Sequence, residues 1–435
     1  MKKRFKYRTL EEMRWEAITL GIDLPLSGDF DVFRDPVDLG LKTIPNRFVD
    51  QPMEGNDAQL DGTPGPLTLR RYRRLAEGGA GVIWVEAIAI SREARGNDRQ
   101  LMLTEETVNS FRSFVAEIKS ASLKTNNFEP YVVAQLTHPG RFGKNRKILF
   151  HDKFLDEKYG ITEDFPLMSD EELDSLKEQY LRAAKFAKIA GFDAVDIKAC
   201  HRYLLSELLA AHTREGKYGG SYENRTKLLK DIVRLVREEV EIDITVRLNL
   251  SDFIPYPYGW GSTEEGTLDF TEPGRLLKEL EELGVKIINV TASTPYLKPH
   301  INRPYDEMGK YNPPEHPIVG AMRLLNLAKL AKETLSRTLV VASGFTWFRQ
   351  FAPYVAAGML KNSWCDLVGF GRMTFAYPDY PKDILTKGEL DPKKVCITCN
   401  KCAELKAAGE SCGCVVRDSE VYLPIYRKME ENKKS

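Results

Sequence analysis

The sequence predicts a (β/α)8 TIM barrel followed by a cysteine-rich C-terminal extension, and three observations carry that expectation. Eight short β-branched runs alternate with stretches of helical periodicity; the runs are apolar almost throughout; and polar residues collect where the runs end. Parallel strands covered on both faces read as continuous apolar runs, whereas half-wet antiparallel strands alternate. Eight β/α units of unequal length favour a closed barrel over an open doubly wound sheet.

In chain order the expected strands are residues 48–53, 81–87, 131–136, 193–198, 243–248, 286–290, 339–342 and 366–370. The helices between them carry their own signals. Ser169 with Glu172 makes a capping box, and Leu173, Leu176, Tyr180, Ala184 and Ala187 follow along one face. A second helix starts at Thr271-Glu272-Pro273, with proline at its first position, runs through Leu276, Leu277, Leu280 and Leu283, and stops at Gly284. Residues 141–165 and 251–269 are long strand-to-helix loops, which a barrel places on its active-site face. The expected domains are an N-terminal extension across the barrel bottom (1–40), the barrel (41–385) and a C-terminal cysteine segment (386–435).

Of the 435 residues, 42% are hydrophobic, enough for a large core. Lys plus Arg and Asp plus Glu balance at 63 each, and basic residues bunch only at the termini, Lys2 to Arg4 with Lys433 and Lys434. A nucleic-acid or anionic-membrane partner therefore has no electrostatic footprint. The N-terminus lacks the apolar stretch of a secretory signal, and no window approaches about 18 apolar residues. The chain reads as a globular cytoplasmic protein, with a homo-oligomer left open.

Seven cysteines are present; Cys200 and Cys365 stand alone, while Cys396, Cys399, Cys402, Cys412 and Cys414 crowd together. Clustered thiols in a cytoplasmic-looking chain point to metal rather than to a disulfide framework. Cys396, Cys399 and Cys402 form a compact set of three thiolates, which either Cys412 or Cys414 would complete. The spacing suits an iron–sulfur cluster and also permits zinc.

Functional residues in a barrel sit at the C-terminal ends of its strands. There the sequence places Glu54 after Pro52-Met53, Gln135, Lys198 leading to His201 and Tyr203, and Arg247. Gly344 and Gly371-Arg372 follow the last two strands. Small residues in these loops let backbone N–H groups approach a phosphate, and Arg372 adds a charge-assisted fork.

Taken together these residues resemble the Old Yellow Enzyme family of FMN-dependent reductases. The resemblance is nearer to its iron–sulfur branch, which includes 2,4-dienoyl-CoA reductase and trimethylamine dehydrogenase. The motifs are PNRFVDQPME, VEAIAIS, QLTHPGR, GFDAVDIKACHRYLLSELL, KYGGSYENR, the VRL around Arg247, and DLVGFGR. The resemblance implies a barrel holding FMN, with Pro52, Met53, Glu54 and Ala87 beside the isoalloxazine and Gln135 on its pyrimidine edge. It implies Arg247 near N1 and O2, and Gly344, Gly371 and Arg372 on the phosphate.

In the substrate segment the family hydrogen-bonds a carbonyl with two side chains and protonates carbon from a tyrosine. Lys198, His201 and Tyr203 stand at those positions, Lys198 replacing the usual His, Arg202 a common Gly, and Glu54 a Thr or Cys. For the metal, the resemblance implies a 4Fe-4S cluster on Cys396, Cys399, Cys402 and Cys414, the last opening CVVRD.

The function expected is therefore FMN-dependent reduction of a C=C bond conjugated to a carbonyl in an enoate, enoyl thioester or cyclic enone. Alternatives are an amine-type dehydrogenase and a flavin/iron–sulfur electron-transfer component. No strand–GxGxxG–helix unit is evident. Electrons are expected from NAD(P)H docking over the FMN, or through the cluster from a separate electron-donor protein.

Overall fold

The computed structural model describes residues 4–40, 42–306 and 311–433; Lys2, Lys3 and Lys434 lie outside them. A short antiparallel hairpin, β1 (Val37–Asp38) and β2 (Thr43–Ile44), precedes eight parallel strands. These are β3 (Phe48–Asp50), β4 (Val82–Ala89), β5 (Tyr131–Thr137), β6 (Ala194–Ile197), β7 (Asp243–Asn249), β8 (Ile287–Thr291), β9 (Leu339–Ser343) and β10 (Leu367–Phe370). They close into a barrel in sequence order, β10 pairing back on β3 with Val368 opposite Phe48 and Phe370 opposite Asp50.

Two strands depart from the sequence reading. β3 stops at Asp50, because the chain from Gln51 curls over the rim and Pro52 has no N–H to give a ladder. β4 runs on to Ala89 across a bulge between Val85 and Ile88. At this bulge Glu86 reaches Arg71 and Tyr72 of the helix Pro66–Gly78.

The helix Asp170–Ala190 carries the Ser169/Glu172 capping box and buries Leu173, Leu176, Tyr180, Ala184 and Ala187. The helix Thr271–Glu282 begins two residues earlier than a first-position Pro273 requires. Pro273 is tolerated there because first-turn N–H groups have no intrahelical partner. After it, Gly284 takes the left-handed φ of 84° that ends the turn.

The barrel interior changes character along its axis. Its lower part is an apolar cluster of Val49, Val82, Trp84, Tyr131, Val133, Ala194, Ile287, Val341 and Leu367, sealed from below by Val37 and Ile44 of the hairpin. Two residues further along the same strands, hence on the same face, stand Gln51, Gln135, Asp196 and Asn289. Gln51 and Asn289 exchange side-chain hydrogen bonds of 3.1 and 2.9 Å. Asp196 accepts from Trp84 Nε1 (2.9 Å) and Gln135 Nε2 (2.6 Å), and from the Arg247 backbone N–H (2.6 Å).

Within residues 4–40, the hairpin strand packs under the barrel and Phe33 stacks at 4.6 Å on Phe48 at the start of β3. At the other end of this stretch Phe5 meets Trp347 edge-on at 5.4 Å and its N–H donates to Asp306 Oδ1. Two aromatic side chains, Phe5 and Tyr7, draw the chain there by packing on Trp347. Among the described residues no helix is long and apolar enough to cross a membrane.

Candidate functional site

The segment after β6 is built around a strained pair, His201 and Arg202, with φ of 63° and 62°. Non-glycine residues adopt such angles at a cost of order 1 kcal/mol each, so the surroundings must hold them. They do so through Arg202, which is fully buried. Its guanidinium donates to Asp252 (3.0 Å), Asp152 (2.6 Å) and the Tyr258 carbonyl (3.0 Å). Arg141 is equally buried and equally satisfied, by Glu207, Asp156 and the Phe150 carbonyl. These ion networks tie the long loops after β5 and β7 to the β6 segment, and the β6 segment presents the site.

Above them, at the C-terminal rim, lies a cleft with an empty volume of about 1050 Å³. Pro52, Met53, Glu54, Gln135, Lys198, His201, Tyr203, Arg247, Gly344, Gly371 and Arg372 all line it. Eleven residues drawn from six loops and strand ends thus converge on one space. Ala87 is not among the residues lining the cleft; it is buried at the β4 bulge, with its carbonyl accepting from Gln100 Nε2 (3.0 Å).

Glu54 is the hub of one wall of the cleft. Lys406 pairs with it at 2.5 Å and Lys198 at 3.7 Å, while Tyr203 OH donates at 3.3 Å. Burial alone would raise its pKa, but the two ammonium groups outweigh burial and hold the carboxyl at about 2. The acid is therefore ionised and compensated.

Burial also acts on Lys198, whose ammonium falls to about 8 despite the help of Glu54. That ammonium lies 3.6 Å from the centroid of the Tyr203 ring. Tyr203 OH also bonds Tyr296 OH at 2.9 Å, and its phenol is raised well above the usual range by burial and by Glu54. His201 Nε2 meets Asn302 Nδ2 at 2.9 Å; burial, then Arg247 and Lys198, push the imidazole well below its ordinary pKa. It is a neutral ring, accepting from Asn302.

Arg247 differs from Arg202 and Arg141. It is buried, and among the described residues its guanidinium makes no hydrogen bond or ion pair. Five cations, Lys198, Arg247, Arg303, Arg372 and Lys406, line the cleft against one carboxylate, Glu54, among the described residues. An excess of buried positive charge is costly unless an anion completes it. At the β9 and β10 ends of the cleft, Gly344 has a left-handed φ of 119°, and a Cβ on Gly371 would lie 3.2 Å from the flexible end of Met53, at Sδ. Cations, small residues and an apolar floor of Met53, Pro52 and Phe375 fit FMN, an anionic, flat, phosphorylated group.

A second cavity, with an empty volume of about 360 Å³, adjoins the first. Cys396, Cys399, Cys402 and Cys414 line it. Cys412 instead lines the larger cleft, with its thiol on the Cys402 carbonyl at 3.0 Å. Cys402, Arg372 and Phe375 line both. The four thiols share this wall with Arg372 and Arg417, whose charge suits an anionic cluster, although among the described residues no three Cys, His, Asp or Glu side chains are grouped closely enough to hold a single metal ion.

Sequence reasoning missed Tyr296, Asn302, Arg303 and Lys406. The first three come from the loop after β8 and the fourth from the short helix Lys401–Ala407, which begins at the cysteines. The only sequence signal for that helix's role was the cysteine spacing itself.

Residues 31–390 match the NADH:flavin oxidoreductase / NADH oxidase family. An NADPH dehydrogenase from Bacillus pumilus is 32% identical over 256 residues, covering 58% of this chain and 70% of that relative. A structure of 2-naphthoyl-CoA reductase with 2-naphthoyl-CoA shares the fold at a TM-score of 0.70 and 20% identity, covering 89% of this chain and 57% of that one. Histamine dehydrogenase from Rhizobium sp. 4-9 does so at 0.68 and 21%, covering 89% and 52%. The chain thus spans little more than half the length of those two proteins. With its barrel, its rim cleft and this match, the chain belongs to the NADH:flavin oxidoreductase / NADH oxidase family and is an oxidoreductase of the Old Yellow Enzyme type.

Proposed function

We propose that the chain reduces a C=C bond conjugated to a carbonyl, with FMN in the rim cleft and a 4Fe-4S cluster on Cys396, Cys399, Cys402 and Cys414. The observation that carries this reading is the unpartnered, buried Arg247 in a cleft where cations outnumber the one carboxylate. When bound, FMN supplies a hydride equivalent to one carbon of the double bond, and a cluster supplies electrons singly. NAD(P)H, or a separate donor protein acting through the cluster, is the proposed source.

The chain's own residues supply the rest. Gln135 and Arg247 would hold the isoalloxazine, and Gly344, Gly371 and Arg372 the phosphate. Lys198, as an ammonium, donates to the substrate carbonyl and stabilises the negative charge that grows there. His201, neutral and with Nε2 accepting from Asn302, completes that contact as a donor through Nδ1–H. Tyr203 gives its proton to the second carbon of the double bond. The resulting phenolate is stabilised by Lys198 over its ring, and Tyr296, half-buried at the rim, returns a proton through its hydroxyl. Phe142, 4.1 Å from Tyr296 between ring centroids, helps to exclude water.

Lys198, a cation at the proposed substrate contact, weighs against a protonated amine there, although amine-oxidising proteins share the fold. A thioester such as that held by 2-naphthoyl-CoA reductase, an enoate or a cyclic enone suits it better. Absorption spectroscopy with metal analysis tests the cofactors: bound flavin and about four iron atoms per chain are expected, and zinc without flavin would overturn the reading. Purified enzyme reduced by NAD(P)H or dithionite should be reoxidised by enones. Bleaching of the oxidised flavin by amines, with no response to enones, would replace this reading with amine oxidation.

A further inference from the structure

We propose that Arg303 is a second phosphate-binding guanidinium, acting with Arg372 on the phosphate monoester of FMN. The inference rests on reading the cleft as an FMN site and adds to it a residue from a loop outside the glycine motifs.

The two arginines are neighbours by construction. Arg372 Nη2 donates to the carbonyl of Pro304 at 2.6 Å, so the turn carrying Arg303 is fastened directly to Arg372. Both line the cleft together with Ser343, Gly344 and Gly371. β9 and β10 are paired, Ser343 opposite Gly369, so these loops emerge side by side.

Among the described residues neither guanidinium has a carboxylate partner, and the nearby Cys402 thiol shares the cleft wall with both. Among the described residues Arg372 is otherwise held only by the neutral Asn400 Oδ1 at 3.1 Å. The Arg303 side chain has no hydrogen bond or ion pair among the described residues, and its Nε is sealed from solvent. Two like charges side by side in a partly dry space repel one another unless a counter-anion joins them. Burial, and then Arg372, depress the Arg303 pKa, as this crowding requires.

A phosphate monoester carries about −1.5 to −2 charges at pH 7, which one guanidinium cannot balance and two can. Each fork can then make charge-assisted hydrogen bonds to phosphate oxygens. The same turn carries Asn302, the partner of His201 at 2.9 Å. An anchored Arg303 therefore also steadies the side chain that orients His201.

The test is titration of the full-length, flavin-depleted chain with FMN and with riboflavin, followed by flavin fluorescence. Arg303→Met should weaken FMN binding about 10- to 100-fold and leave riboflavin within about twofold. Arg303→Lys, which keeps the charge but not the fork, should fall between. An unchanged FMN affinity in Arg303→Met would overturn the inference, and so would equal losses for FMN and riboflavin. A parent chain that binds neither flavin would instead remove the FMN site itself. Thermal unfolding of the flavin-free variants checks folding, and should Arg303→Met misfold, Arg303→Lys decides by the same FMN-to-riboflavin ratio.

Discussion

Two regions of this barrel bury arginines, and they treat them in opposite ways. Behind the rim, Arg141 and Arg202 are each surrounded by two carboxylates and a carbonyl. In the cleft itself, the buried Arg247 and the half-buried Arg303 have no side-chain partner among the described residues. Charge that serves the architecture is balanced inside the chain; charge left unbalanced is reserved for something the chain does not contain.

The largest expected effect breaks the first half of that contrast. Arg202→Met strands Asp152 and Asp252 in the interior and should cost about 3–5 kcal/mol in denaturant unfolding; a loss under about 1 kcal/mol would show that the network is not structural. Arg247→Met should do the reverse. It removes a buried, unpaired cation, so the flavin-free chain should be no less stable, while FMN affinity should drop about 10- to 100-fold in titration. If it destabilised the chain as Arg202→Met does, the contrast would fail.

A smaller effect sharpens the electrostatics around Glu54. Lys198 loses its proton near pH 8, so enone reduction that needs the ammonium should decline as pH rises through about 8. Glu54→Gln removes a charge that favours the ammonium, and the decline should move about one unit to lower pH. A pH–rate profile unmoved by Glu54→Gln would take Lys198 out of the mechanism. The smallest effect is on the surface, where Lys144 pairs with Asp98 and both are 63% exposed. Lys144→Met should change unfolding stability by less than about 0.5 kcal/mol.

What the sequence made legible follows the same division. The eight strands could be read because residues covered on both faces must be apolar, a constraint independent of the neighbours' identity. The rim residues could be read because polar side chains interrupt those runs at their ends, as Gln135, Lys198 and Arg247 do. Partnership could not be read. Arg202 replaces a small residue in the resemblance, and only the folded loops bring Asp152 and Asp252 to it from 50 residues away on either side. Lys406 likewise meets Glu54 across 352 positions of sequence, through the folding of the cysteine segment onto the rim. That segment is latched at its far end by Asp418, which accepts from both Arg70 and Arg74. The early end of β3 and the β4 bulge were hidden for a related reason, since ladder geometry depends on the partner strand.

Cys402, Arg372 and Phe375 face both cavities. The two chambers thus share three wall residues, so an occupant of either would lie against side chains that also bound the other. Any electron passing between a flavin and a cluster housed there would cross a membrane of three residues rather than follow a wire. Its ease of passage would then be set by how tightly those three pack, making Phe375 an insulator whose bulk could be tuned.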